Sequence, residues 1–267
     1  MAADRDTLRQ TFDTAAERYD RARPRYPAEL VADLARLARL GPGRRVLEVA
    51  PGTGQLTVPL ARLGCEVTAV ELGPALAAVA RRNLAPFPRA TVVVSAFEDW
   101  PLPAEPFDAV VCATAVHWFE PAAWLAKVTK ALRPGGTAAI VTTHHVRGGT
   151  PDFFDRSQAC YVRWDPDTSK HGDFTLPSAA LPPQAGPLGD SGGRLTAPAF
   201  RRYERDIGYT AAGYLDTQLT YSNILAMPPG AREGLLGCLA TLINTRFQGR
   251  VTKRYLFELG LARRRPF

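Results

Sequence analysis

A chain of 267 residues, 46% of them apolar, has room for one domain with insertions and for a full hydrophobic core. No apolar run reaches the roughly 20 residues of a membrane-spanning helix, which excludes an integral helical membrane protein. The net charge of +7 is almost all arginine, and its one dense run, Arg263-Arg264-Arg265, is too short for a nucleic-acid groove; a solvated surface is expected.

The first residues, Met1 to Asp6, are polar and acidic where a signal peptide would be basic and then apolar, the pattern of a cytoplasmic chain. Cys65, Cys112, Cys160 and Cys238 are widely scattered and read as buried thiols, not as a disulfide or zinc framework. No metal site is expected.

In chain order, residues 7–20 make a polar helix candidate ending at Tyr19-Asp20. Pro24 and Pro27 interrupt it, because proline cannot sit in a helix interior. Pro27 suits the first position of a new helix striped by Leu30, Val31, Leu34 and Leu37, which Gly41-Pro42-Gly43 stops.

The organising stretch follows. An apolar run, Arg45 to Val49, carries Glu48 near its end and breaks into a loop with Gly52 and Gly54; a helical pattern resumes through Leu56, Leu60 and Leu63. Strand, glycine turn and helix put a ligand over a helix N-terminus, with glycine where the backbone must pass close to it. The next apolar run, Val67 to Val70, ends in Glu71, where a carboxylate can accept both hydroxyls of a ribose. A dinucleotide site expects a third glycine where Thr57 stands, and does not want Glu48 beside a pyrophosphate. A cationic ligand suits Glu48 better.

The pattern Glu48-x-Ala50-x-Gly52-x-Gly54 resembles the glycine motif of class I S-adenosylmethionine (SAM) methyltransferases, with Ala50 in place of the first glycine. The string Phe12…Ala16-Glu-Arg-Tyr-Asp…Arg23-Pro-Arg-Tyr-Pro27 resembles the N-terminal flap of bacterial small-molecule methyltransferases close to the trans-aconitate group. The element Cys112 to Pro121, containing His117-Trp118-Phe119, carries the same resemblance, as does the ending Gly249 to Leu256.

Strands are expected at 67–71, 91–95, 107–113 and 137–142, with helices at 74–83 and 121–132, the latter stopped by Pro134-Gly135-Gly136. Strands alternating with helices imply a parallel sheet covered on both faces. A short helical piece spans 153–162, and a Pro/Gly/Ser-rich stretch from Leu176 to Pro198 is expected to be a lid or loop bordering the acceptor. A strand over 203–210, helices at 211–223 and 229–247, and a strand over 251–259 complete the chain.

The resemblance implies an α/β, Rossmann-like class I methyltransferase fold: a mostly parallel seven-stranded sheet with an antiparallel last strand, helices on both faces, an N-terminal flap and a C-terminal helical cap. It implies a single domain over 1–267, with a flap and helix at 1–40, a SAM-binding core at 41–145, a variable lid loop at 146–200, and cap helices with the last strands at 201–267. SAM is the implied cofactor, and S-adenosylhomocysteine the product. Its implied contacts are Tyr19 and Arg23 from the flap, Glu48, Ala50, Gly52, Thr53, Gly54 and Gln55 at the turn, and Glu71 and Leu72 after the second strand. Ala96, Phe97 and Glu98 would meet the adenine, and Ala113 and Thr114 the SAM backbone.

His117 should project towards the transferred methyl, either as a proton acceptor or as a pocket wall with Trp118. His144 and His145 are either substrate contacts or polar loop residues. Tyr214, Tyr221 and Ser222 are candidates for the acceptor pocket. The expected activity is metal-independent methyl transfer to an oxygen, nitrogen or carbon of a small molecule, by a monomer or homodimer. An RNA or protein methyltransferase, or a SAM-binding module without transfer, are the alternatives.

Overall fold

Val46, Leu47 and Val49 are inaccessible to solvent because β1 (Arg45–Val49) lies inside a sheet, flanked on both sides by parallel strands. Its neighbours are β2 (Glu66–Glu71) and β4 (Phe107–Ala113); β3 (Ala90–Val94) pairs with β2, and β5 (Leu132–Val146) with β4, all in parallel. With β6 (Ala199–Thr210) and β7 (Arg250–Arg263) the order is β3-β2-β1-β4-β5-β7-β6, and the last strands run antiparallel. The near-continuous apolar run of β4 is what a strand covered on both faces requires. This is the Rossmann-like class I methyltransferase fold that the family resemblance implied; the strand-helix alternation had implied its parallel sheet.

The computed structural model describes residues 12–165 and 176–266. The start of the expected 7–20 helix lies outside them, as does the middle of the 146–200 stretch. The chain divides into two compact units, each with its own core. One, the glycine-turn unit, comprises Arg25–Thr143, Pro183–Tyr203 and Phe257–Phe267. The other, the tyrosine-rich unit, comprises the chain up to Pro24, His144–Pro182 and Glu204–Leu256, and carries six of the eight tyrosines.

In the glycine-turn unit, helices α2 (Ala28–Ala38), α3 (Thr57–Arg62), α4 (Pro74–Leu84) and α5 (Pro121–Ala131) accompany the strands. Trp124, Leu125 and Val128 of α5 join Leu47, Val49, Val110 and Cys112 in one core. Leu188 and Leu195, from the Pro/Gly/Ser-rich stretch, are buried in that same core and anchor part of the expected lid.

In the tyrosine-rich unit, α1 (Ala16–Ala22), α6 (Pro151–Trp164), α7 (Ala211–Gln218), α8 (Ser222–Leu225) and α9 (Pro229–Arg246) surround Phe153, Tyr214, Leu235, Leu239 and Ile243. The last three recur four residues apart on one face of α9 and are fully buried, each side chain contributing roughly 1.5–3 kcal/mol. Helices α6 and α9 pack closely: a methyl at Gly234 would overlap the Trp164 ring.

Three expectations need correction. Cys160 of α6 and Cys238 of α9 form a disulfide, because the packed helices bring their Cα atoms to 5.8 Å across 78 residues of sequence. Cys65 and Cys112 are the buried free thiols. Pro134-Gly135-Gly136 does not separate helix from strand. Helix α5 ends at Ala131, and β5 absorbs the three residues with a register shift opposite Phe107 and Ala109. His144 and His145 are therefore strand residues, on opposite faces of β5, and not loop residues.

Candidate functional site

Because β1 to β4 are parallel, their C-terminal ends share one edge, where Glu48, Glu71, Ser95 and Ala113 fall. The turn after β1 is held by Glu71. One carboxylate oxygen accepts from the Gly52 amide at 2.9 Å, and the other from the Gly73 amide at 2.9 Å. Glu71 is 5% exposed, so this charge-assisted clamp is shielded from water. Asn83 of α4 donates to the Thr53 carbonyl at 3.0 Å and ties the far side of the loop down.

The turn is wound left-handed. Gly52 and Gly54 have φ of +60° and +86°, and Ala50 has φ of +54°. Alanine at the first glycine position keeps the turn but carries a Cβ where L-residues are strained, at a cost of roughly 1–2 kcal/mol. Such strain persists where the surrounding structure over-determines the backbone; here the Ala50 amide is fixed to the Val70 carbonyl at 2.9 Å.

Glu48 is 1% exposed, and its Oε2 has no hydrogen-bond partner. Burial raises its pKa to about 8; the Thr57 hydroxyl opposes the shift and the neighbouring Glu71 charge adds to it. Thr53 Oγ1 and Gln55 Nε2 are likewise buried and unpartnered, and Thr57 Oγ1 is buried facing Glu48 without a well-formed hydrogen bond. These buried polar atoms, from the end of β1 to the start of α3, fit a ligand that supplies both donors and acceptors.

After β3, Lys127 of α5 donates to the carbonyls of Glu98 and Trp100, at 2.8 and 2.5 Å, and fixes the Ala96–Phe97–Glu98 loop. Phe97 is 3% exposed, edge-on to Phe119 at 6.0 Å with the Lys127 ammonium 5.1 Å from its ring, while Glu98 is exposed. After β4, Thr114 adopts φ of +57°, and its hydroxyl meets Tyr26 Oη at 3.1 Å and Thr143 Oγ1 at 3.2 Å. His117 and Trp118 lie on a single 3-10 turn, Val116–Trp118, with ring centroids 4.8 Å apart and His117 exposed. Glu120 caps the following helix by accepting from the amides of Ala122 and Ala123.

The glycine-turn unit thus brings together Glu48, Ala50, Gly52, Thr53, Gly54, Gln55, Glu71, Leu72, Ala96, Phe97, Glu98, Ala113, Thr114, His117 and Trp118. Taken with the sheet order, this is the edge at which open α/β sheets bind ligands. The family described as "Methyltransferase domain" matches residues 46–136, a span holding all of these residues. Over residues 46–136 the chain carries a methyltransferase domain, as the resemblance to class I SAM-dependent methyltransferases implied.

The chain is 36% identical over 141 residues to an uncharacterized methyltransferase of Mycobacterium tuberculosis, covering 53% of this chain and 55% of that protein. It is 29% identical over 247 residues to the malonyl-[acyl-carrier protein] O-methyltransferase of Halorhodospira halophila, covering 88% of this chain and 77% of the relative. The fold matches phosphoethanolamine N-methyltransferase 2 of Haemonchus contortus, solved with phosphomonomethylethanolamine and S-adenosylhomocysteine. The TM-score is 0.52 at 15% identity, over 96% of this chain and 58% of that one. The chain spans about half the length of the first curated relatives it matches, 55% of one group and 50% of another.

The remaining candidates belong to the tyrosine-rich unit: Tyr19, Arg23, His144, His145, Tyr214, Tyr221 and Ser222. Tyr214 is 2% exposed and packs edge-on against Phe153 at 5.1 Å, deep in the core of this unit. Arg23 lies over the rings of Tyr19 and Tyr221, at 4.9 and 4.3 Å, and donates to the Thr220 carbonyl at 2.7 Å. Tyr221 Oη is 3.3 Å from His145 Nε2. Ser222 opens the short helix α8.

Sequence reasoning missed Tyr26, Thr143 and Lys253. Tyr26 lay unread inside the flap string. Lys253 carried a visible signal: it alternates with Val251 and Tyr255 on the buried face of β7, where a lysine is out of place.

Proposed function

We propose that the chain binds SAM on the glycine turn and transfers its methyl to a nucleophile of a small molecule. The observation that carries the cofactor half is the turn itself: a clamped, left-handed backbone flanked by two buried carboxylates, one of them with an orphaned oxygen. SAM fits those residues. Its ammonium and sulfonium are cationic, and its hydroxyls and amines supply partners for Glu48, Thr53, Gln55 and Thr57. When bound, SAM supplies an activated methyl on an excellent leaving group.

The chain's own task is binding and positioning. Glu71, fixed at the end of β2 by the Gly52 and Gly73 amides, is the carboxylate that would accept from a ribose diol. Leu72, Ala96, Phe97 and Glu98 border the adenine, and Ala113 and Thr114 the SAM chain. Holding the nucleophile in line and excluding water supply much of the rate. Where the nucleophile must lose a proton, His117 would accept it, with the Trp118 ring tilted beside it as a wall.

The span of the malonyl-[acyl-carrier protein] O-methyltransferase relative supports a small or carrier-borne acceptor over RNA. Incubation with methyl-labelled SAM and fractionated cell extract tests the reading. Label is expected in the small-molecule fraction, or on a carrier-bound acyl group that hydrolysis releases, and absent with Glu71→Ala; label in RNA or on protein side chains would overturn the acceptor class. Against the acceptor so found, His117→Ala should lower turnover by about 10²–10⁴-fold with S-adenosylhomocysteine affinity unchanged. Full turnover would make His117 a wall.

A further inference from the structure

Inside the tyrosine-rich unit, two cations, Lys253 and Arg23, lie over the same ring, that of Tyr221. Lys253 is 5% exposed, and its ammonium lies 5.5 Å from the Tyr221 ring centroid and 5.2 Å from that of Tyr255. Arg23 covers the Tyr221 ring from 4.3 Å; one of its terminal nitrogens is spent on the Thr220 carbonyl, while its Nε is buried with no partner. The charged groups that act on Lys253 are Tyr221 and Arg23, and those that act on His145 are Lys253, Arg23 and His144. None is an acid. Burial holds Lys253 below the ordinary lysine range, and Lys253 and Arg23 together draw Tyr221 below the ordinary phenol range against its own burial.

A buried ammonium in the field of a guanidinium is costly unless a negative charge offsets the two. The surroundings suit an incoming anion. His145 and Tyr221 supply a ring nitrogen and a hydroxyl 3.3 Å apart, and Tyr209 and Tyr255 a second hydroxyl pair at 3.0 Å. Aromatic rings form the walls: Tyr221 and Tyr255 each meet His145 edge-on at 5.5 Å. Arginine offers a planar fork, and lysine a point charge, the usual pair for an oxyacid.

We propose that Arg23, Lys253, Tyr221 and His145 form a receptor for an anionic oxyacid group, a carboxylate or a phosphate, carried by the methyl acceptor. The assignment to the acceptor rests on the methyltransferase reading above. It gives Lys253 a role in substrate binding, and moves Arg23 from the cofactor to the acceptor.

Titration calorimetry on protein saturated with S-adenosylhomocysteine tests this, with malonate and inorganic phosphate as separate probes. Wild-type protein should bind at least one of them, and which one binds identifies the oxyacid. Lys253→Met and Arg23→Met should each weaken that binding by tenfold or more and Tyr221→Phe by less. An exposed control, Arg156→Gln, should leave it unchanged.

Affinity for S-adenosylhomocysteine, measured in the same samples, reports folding and separates the two readings. Cofactor binding without malonate or phosphate binding would overturn the anion receptor and leave the cofactor reading intact. Loss of cofactor affinity in Arg23→Met and Lys253→Met, with the anion response unchanged, would overturn it as well, returning the cluster to the cofactor. Wild-type protein that binds an anion but no S-adenosylhomocysteine would sink the methyltransferase reading on which the acceptor assignment rests. Should Lys253→Met not fold, Arg23→Met and Tyr221→Phe decide the question.

Discussion

The glycine turn draws its working groups from a short span: the Gly52 amide and the Glu71 carboxylate that clamps it are 19 residues apart. The tyrosine-lysine cluster is assembled from remote stretches, His145 with Tyr221 across 76 residues and Arg23 with Thr220 across 197. The two regions also carry opposite charge. Two buried acids sit at the turn, and two cations, Arg23 and Lys253, share the Tyr221 ring in the cluster. A short-range site is written in residue order and can be read there. A long-range site exists only once the chain has folded.

The largest expected effect falls on the tyrosine-rich unit. Opening the Cys160–Cys238 disulfide, by reductant or by Cys238→Ser, should cost about 2–4 kcal/mol, read by denaturation with and without dithiothreitol. An unchanged midpoint would show that α6 and α9 need no covalent tie, and that packing at Gly234 and Trp164 suffices. Disulfides are uncommon in reducing compartments, so the same experiment probes the cytoplasmic expectation.

Next comes the electrostatic side of the turn. Glu48 is held well above its ordinary value of 4.5, at about 8, so the folded chain keeps a proton that the unfolded chain gives up. Its contribution is complete below about pH 4.5 and is lost as pH rises towards 8, with a slope of up to about 1.4 kcal/mol per pH unit. Glu48→Gln removes that titration. The variant's stability should therefore fall less than wild type between pH 5 and 8, and parallel curves would contradict the buried-acid account. Cationic ligand binding should release the same proton, visible as a buffer-dependent heat.

The smallest effect belongs to the backbone. Ala50→Gly relieves the left-handed strain and should stabilise the chain by about 0.5–1 kcal/mol, after the entropy of the added glycine is deducted. A loss of stability would mean that the Ala50 methyl is needed for packing.

Much of this was legible beforehand, for identifiable reasons. The strand at 107–113 matched to the residue, since a doubly covered strand is one unbroken apolar run between turn signals. Glu71 was placed by its position at a strand end, though not its second duty: the sequence cannot show that its oxygens hold the Gly52 and Gly73 amides. Pro134-Gly135-Gly136 misled because such residues stop helices and also sit in irregular strands, and only the pairing with β4 decides which. Cys160 and Cys238 looked unrelated because helix packing, not spacing, joins them. Lys253 could have been found by asking why a lysine falls in step with Val251 and Tyr255.

The central claim is that the clamped turn is the SAM site. Calorimetric titration of S-adenosylhomocysteine into wild-type protein and Glu71→Ala tests it most directly. The account predicts clear wild-type binding and a loss of about 1.5–3 kcal/mol in the variant, the worth of a hydrogen bond to a charged group. Equal affinities, with both proteins folded, would contradict it.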